Sequence, residues 1–302
     1  MAATVASSRP NISTTGRTKL PFQLRAMRGA MGVLSRVSPE GAAAVAEQLF
    51  LTPRRRTPPK AEVDVLSLAQ PRWLPTKHGT LAAWEWSPLS SHGADRRVLL
   101  VHGWEGRGAQ LGPLVAALTA LDFAVVTFDA PAHGDSPGSF SSLFHFAEAV
   151  TQAHERLGPF HAIISHSMGG PATLWASRNG ALAGRTAMIA PPVDIRDFTR
   201  SFAGVLGLSE AVREHIHLRL GARFGIPIEE ARAEKVAAAL TGKLLVVHDE
   251  DDREVPIACG EAMARAWPQG VLLRTQGLGH QRILRDQGVQ NAIVRFVAAR
   301  DG

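Results

Sequence analysis

Apolar positions along this chain follow two rhythms. From Leu20 onward, Leu20, Leu24, Met27, Met31 and Leu34 share one helical face, while Arg25 and Arg28 fall on another. A second helix is predicted to open at Ser38-Pro39-Glu40, a capping serine followed by proline at the first helical position, and to run through the alanines to about Phe50. TPRRRTPP at 52–59 reads as a stiff linker whose three arginines form a solvated stretch. Beyond it the rhythm changes. Short apolar runs at 81–86, 97–102, 124–129, 161–165, 186–190, 244–248 and 271–275 read as strands. Helical patterns at 111–121, at 143–157, from 167–170 onward and at 281–299 fall between or after them. Apolar strands alternating with helices predict an α/β fold, a mostly parallel central sheet covered on both faces. Residues 195–240 interrupt the alternation with helices only, at 198–206, 210–220 and 229–240. An all-helical insert between two strands predicts a lid, with Phe198, Phe202, Val205 and Leu206 as its apolar inner face. The expected organisation is a basic N-terminal arm of two helices and a linker over 1–60, then a main domain over 61–302 carrying the lid.

Charge refines this picture. The net charge is +6 and the pI about 10.3, a balance that could point to nucleic acid. No acid precedes Glu40, however, and Arg9, Arg17, Lys19, Arg25, Arg28 and Arg36 all do; 33 less these 6 leaves 27 basic residues against 27 acidic ones. The excess belongs to the arm, so no nucleic-acid partner is expected. Residues 1–18, rich in Ser, Thr and Arg, read as disordered. The two arm helices are expected to pack on the main domain or on a partner subunit, as in a homodimer formed through the arm. The competing readings are membrane-surface attachment of a basic amphipathic helix and an organelle transit peptide. No apolar run is long enough to span a bilayer, and no secretory signal pattern is present. Cys259 is the single cysteine, so no internal disulfide can form and a reducing, cytoplasmic setting is expected. Tyrosine is absent, which excludes a mechanism needing a phenolic hydroxyl.

The candidate chemistry lies at the predicted strand ends, which gather into one crevice in an open parallel sheet. These stretches are His102-Gly103-Trp104, Asp129 to Gly134, Ser165-His166-Ser167-Met168-Gly169, His248 to Pro256, and Gly277-Leu278-Gly279-His280. A serine hydroxyl needs a base to take its proton, usually a histidine oriented by a carboxylate. Ser167, an acid within 249–252 and His280 occur in the chain order associated with a serine on a tight strand-to-helix turn. The turn pattern Gly-x-Ser-x-Gly is imperfect in IISHSMGG, because Ser165 occupies the first glycine's place. Gly169 fixes the register: counting back two gives Ser167. Taking Ser165 as the nucleophile instead would put Ile163, bulky and β-branched, where a small residue is required. His215-Ile216-His217 is weak as a metal site, since residues two apart on a helix face different ways.

Together these motifs resemble the α/β-hydrolase fold superfamily, in its serine esterase/lipase and prolyl-aminopeptidase-like group. VHGWEGR resembles the oxyanion loop, FDAPAHGDSPG the D-x-P-G-H-G-x-S loop, SHSMGG the nucleophile turn, and HDEDDREVP with GLGHQRIL the acid and histidine loops. The resemblance covers roughly 75–300. It implies Ser167 as nucleophile, His280 as base and, by alignment on Val255-Pro256, Asp252 as acid, with Asp251 the alternative. Asp249 stands where the family pattern has glycine. The resemblance further implies an oxyanion hole from the amides of Trp104 and Met168, with loop-bracing roles for His102, Asp129 and His133. Trp104, His166, Phe198 and Phe202 are the candidate substrate contacts. The implied activity is hydrolysis of a small-molecule carboxylic ester with an apolar acyl or alkoxy part, with no metal and no organic cofactor. An aminopeptidase or amidase would need a lid carboxylate such as Glu210, Glu214, Glu229 or Glu230 to hold a substrate amine. An acyltransferase would use the same triad, and a ligand-binding protein that kept the fold without turnover is the alternative from another class.

Overall fold

The computed structural model describes residues 22–88, 96–178, 180, 183–226, 230, 232–237 and 240–299. Residues 1–21, with the Ser/Thr/Arg-rich start and Leu20, lie outside the described residues, as does Glu229. The strands are β1 (Gln70–Thr76), β2 (Gly79–Trp86), β3 (Arg97–Val101), β4 (Ala124–Phe128), β5 (Phe160–His166), β6 (Ala183–Ile189), β7 (Lys243–Asp249) and β8 (Gly270–Thr275). They form one sheet in the order β1-β2-β4-β3-β5-β6-β7-β8. Only the β1–β2 and β2–β4 pairs are antiparallel; the others are parallel.

The helices are α1 (Phe22–Val37), α2 (Pro39–Phe50), α3 (Lys60–Ser67), α4 (Val115–Thr119), α5 (Leu143–Leu157), α6 (Gly169–Ser177), α7 (Ile195–Leu206), α8 (Glu210–Phe224), α9 (Ala233–Ala237), α10 (Ile257–Ala266), α11 (Gly279–Arg282) and α12 (Gln287–Ala298). The central strands alternate between two cores because successive side chains point to opposite faces. In β3, Leu99 and Val101 pack with Phe146 and Val150 of α5, while Val98 and Leu100 pack with Leu118 of α4 and Ile293 of α12.

Two elements depart from expectation on the antiparallel side. β1 contains Pro71 and Pro75, which weaken a strand signal, yet it forms because it is an edge strand paired only with β2. α3 opens after Pro58-Pro59, inside what reads as linker and loop. The expected helix over 111–121 begins instead as a tight 3₁₀ segment, Gly108–Leu114, that accommodates Pro113. The expected last helix is broken before α12 by Asp286, whose carboxylate accepts the Val289 amide as an N-cap.

The N-terminal helices and the helices of the 195–240 insert share one core. Met31 of α1, with Ala42, Ala43 and Ala46 of α2, is buried against Val212, Ile216 and Leu220 of α8. Small alanines on α2 let the two helix backbones approach. Glu47 of α2 is 2% exposed and bonds Arg219 at 2.6 Å and Arg223 at 2.5 Å, both on α8. Arg28 of α1 donates to the carbonyls of Gly204 and Val205 at the end of α7, where free carbonyls concentrate negative charge. The third expected lid helix survives, among the described residues, as the short α9. Val205 does not face inward as expected; it is 52% exposed. No helix among the described residues is long and apolar enough to cross a membrane.

Removing Glu47 leaves two α8 cations, one helical turn apart, without their carboxylate at the α2–α8 contact. Because both arginines keep access to water, Glu47→Ala is expected to lower the unfolding free energy by about 1–2 kcal/mol, less than for a fully buried pair. Urea unfolding measures this; an unchanged midpoint would show that the pair does not hold α2 to α8.

Candidate active site

β5 runs down the middle of the sheet between β3 and β6, and IISHSMGG carries its end into α6. At the turn Ser167 adopts φ 51°, a left-handed conformation that costs a non-glycine residue on the order of 1–2 kcal/mol. The turn is pinned by the Ser167 amide on the Ile189 carbonyl at 2.9 Å. It also presses on the loop after β3. A Cβ on Gly169 would lie 2.6 Å from the Val101 carbonyl oxygen and 2.7 Å from that of His102. A Cβ on Gly103 would lie 2.9 Å from the Ser167 Cβ. Ser165, by contrast, sits within β5, fully buried, its hydroxyl 3.5 Å from the Ala187 carbonyl. The small side chain that replaces the first glycine is absorbed between β5 and β6.

His280 reaches the same region from the loop after β8. Its Nδ1 lies 2.7 Å from Asp252 Oδ2, with both side chains almost fully buried. The other carboxylate oxygen of Asp252 accepts the amides of Glu254 and Val255 at 2.8 and 2.9 Å. Burial alone would raise the Asp252 pKa, but hydrogen bonds from His248, His280 and the Val255 amide outweigh it and hold the carboxyl well below the usual range. Asp251 is placed differently: its carboxylate accepts the Gly277 amide. Asp249, at the position where glycine was expected, is fully buried and ties the two loops together. Its oxygens accept the Thr275 hydroxyl and the amides of Asp251, Leu278 and Gly279, which fixes the approach to His280.

The neighbouring histidines bond backbone groups. His166 Nε2 donates to the His280 carbonyl at 3.0 Å, and its ring packs 4.7 Å from that of His280. It is buried beneath the site and does not line the cleft; burial, then the nearby His280, depresses its pKa to about 3. His102 Nδ1 donates to the Gly103 carbonyl while its Nε2 accepts the Ala130 amide. His133 Nδ1 donates to the Pro131 carbonyl while its Nε2 accepts the Glu105 amide, and burial lowers its pKa to about 4. Asp129 accepts the amides of Gly108 and Asp135, and burial raises its pKa to about 6. These three residues lock the loop after β3 to the loop after β4.

The linker arginines are not merely solvated. Arg54 forms a two-pronged pair with Glu105 at 2.8 and 2.9 Å, one residue from Trp104. Arg55 donates to the carbonyls of Gly134, Ser136 and Gly138. Arg107 bonds Glu62 and the Arg56 carbonyl, closing the strap. Sequence reasoning missed Glu105 and this strap. The run of three arginines was visible, but its partners stand some 50 to 80 residues away and only the fold names them.

Beside Ser167 an apolar cleft is lined by Trp104 and Met168 on the sheet side and by Ile195, Phe198, Leu220 and Phe224 on the cap side. Phe202 is not among its walls; it packs edge to face on Phe50, ring centres 5.3 Å apart, inside the cap core. The amides of Trp104 and Met168 have no acceptor among the described residues. Met168 also stands at the N-terminus of α6, where the helix dipole favours an anion.

The sequence profile of the alpha/beta hydrolase family matches residues 98–290. The chain belongs to this family. No curated protein sequence matches it. Among solved structures, this hydrolase-family chain is similar in fold to a Pyrococcus furiosus esterase, at 17% identity and TM-score 0.60, covering 82% of this chain and 98% of that one. It is similar also to Est1E from Butyrivibrio proteoclasticus with ferulic acid bound, at 19% identity and TM-score 0.60 over 76% and 100% of the two chains. A third is a Paleococcus ferrophilus monoacylglycerol lipase, at 20% identity and TM-score 0.56 over 72% and 98%.

Two outcomes follow from this packing. Gly169→Ala drives a methyl into two backbone carbonyls that cannot swing away, and is expected to cost about 1–3 kcal/mol; Ser165→Gly, which only removes a hydroxymethyl, should cost less. Urea unfolding of the two variants decides, and an unaffected Gly169→Ala would contradict the close approach. Acidification is the second. The folded-state pKa values of His133 and His166 lie below the unfolded value near 6.5, so their stability contribution is present above about 6.5 and lost as pH falls towards 4 and 3. Asp129, raised to about 6, works in the opposite sense between about 4 and 6 but is a single group. The melting temperature is expected to fall between pH 7 and pH 4.5, and a flat profile would contradict neutral buried imidazoles.

Proposed function

We propose that the protein is a serine hydrolase of carboxylic esters with an apolar acyl part, working through Ser167, His280 and Asp252. The observation that carries this reading is the buried 2.7 Å pair between His280 Nδ1 and Asp252, set beside a serine in a left-handed turn. Asp252 holds the proton of His280 on Nδ1, so Nε2 is left as the basic atom. Nε2 takes the Ser167 proton as Oγ bonds to the substrate carbonyl carbon. The carbonyl oxygen becomes an oxyanion and is held by the Trp104 and Met168 amides, preorganised where charge develops. Protonated His280 returns its proton to the departing alkoxide as the carbon–oxygen bond breaks, leaving an acyl-Ser167 ester and a free alcohol. Water then adds to the acyl carbon, giving its proton to His280. Collapse of the second tetrahedral species releases the acid and restores Ser167. Ser167 Oγ makes no hydrogen bond to His280 among the described contacts; such bonds commonly tighten only with substrate bound.

The cleft supports an ester over an amine-bearing substrate. Its lining contains no charged side chain. Of the lid carboxylates an aminopeptidase would need, Glu210 and Glu214 face Arg213, and Glu230 pairs with Lys235. The names of the similar structures, esterases and a monoacylglycerol lipase, point the same way.

On p-nitrophenyl esters, Ser167→Ala and His280→Ala are each expected to lower kcat by about 10⁴-fold or more, and Asp252→Asn by about 10⁴-fold. Asp251→Asn should stay within a few-fold of the parent. Comparable turnover by Ser167→Ala would overturn the mechanism, and a larger loss in Asp251→Asn than in Asp252→Asn would move the acid.

A further inference from the structure

The far wall of the apolar cleft comes from the N-terminal arm. Phe50 and Leu51, at the end of α2, line it together with Trp104, Met168 and the cap residues. The family match begins only at residue 98, so this wall lies outside it. The wall is anchored on both sides. Upstream, Glu47 fixes α2 to Arg219 and Arg223. At the wall, the Leu51 carbonyl accepts the Ser141 amide at 2.7 Å and Leu51 is 3% exposed. Downstream, Arg54 grips Glu105 and Arg55 grips the carbonyls of 134, 136 and 138. Phe50 is therefore set rigidly, its ring also held edge to face by Phe202. The space left between these walls is small, about 40 Å³. Pockets for drug-sized ligands hold several hundred Å³. The cleft as built is narrow, with no room for a long acyl chain until a wall gives way.

Resting on the ester-hydrolase reading, we propose that Phe50, supported by Leu51, is the stop that limits the acyl chain, making the N-terminal arm the determinant of a short-acyl preference. Trp104 and Met168 link the cleft to Ser167, which directly precedes Met168, and Phe50 is the aromatic wall that the N-terminal helices supply. An acyl chain that enters this cleft from Ser167 packs against the Phe50 ring as one of its walls. Truncating that ring lengthens the cleft without touching Ser167, His280 or the oxyanion amides.

The test is the kcat/KM ratio of p-nitrophenyl octanoate to p-nitrophenyl acetate in the full chain. The parent is expected to favour acetate. Phe50→Ala should raise the ratio at least tenfold. Phe50→Leu, a milder change that guards against misfolding, should raise it severalfold in the same direction. Val45→Ala, on the exposed face of the same helix, should leave the ratio unchanged. Folded, active Phe50→Ala or Phe50→Leu with the parental ratio overturns the stop while leaving the hydrolase reading intact. A parent that already prefers octanoate overturns it as well. Absence of Ser167-dependent ester turnover in the parent overturns the hydrolase reading and this inference with it.

Discussion

Ser167 holds its left-handed backbone only because the loops around it leave it nowhere else to go. The Ile189 carbonyl fixes its amide, and Gly169 lies so close to the carbonyls of Val101 and His102 that no side chain fits there. Gly103 meets the Ser167 Cβ from the other side. The strain of the turn, of the order of a kcal/mol or two, is therefore carried by three parallel strands, β3, β5 and β6, whose cores on both faces resist deformation. The placement of Ser167, itself only 6% exposed, follows from the packing of backbone on backbone.

What surrounds the turn is a set of interlocked polar loops. His102 and His133 each use one nitrogen as donor and the other as acceptor, which fits neutral rings and joins the loop after β3 to that after β4. Asp249 does the same for the loops after β7 and β8, satisfying four donors with one carboxylate. Asp252 is thereby presented to His280 with its remaining lone pairs already occupied by amides. Buried charge is tolerated where every lone pair has a partner. The arm adds an outer layer to this arrangement: α1 and α2 complete the cap core, and the strap at 54–56 clamps two of the same loops from outside.

Much of this was legible in the sequence, and the limits have physical reasons. Central strands such as RVLLV and AVVTF announce themselves because both faces are buried and the apolar run is unbroken. β1 does not, since an edge strand with two prolines resembles a loop until its partner is known. Gly169 located the reacting-serine candidate by local geometry alone. Asp249 looked like a departure from a motif because its four partners come from a loop some 30 residues away or from its own backbone turn. Phe198 and Phe202 lie one helical turn apart on α7, so periodicity alone did not separate the cleft wall from the cap core. The arm was visible as a basic, amphipathic segment, but nothing local said that its buried face would meet α8.

In the proposed mechanism the turn presents Ser167, and not Ser165, as a nucleophile activated by His280. Reaction of the folded chain with a fluorophosphonate, followed by peptide mass mapping, tests it most directly. A single adduct on Ser167 is expected, greatly slowed in His280→Ala. An adduct on Ser165, or an unlabelled Ser167 in folded protein, would contradict it.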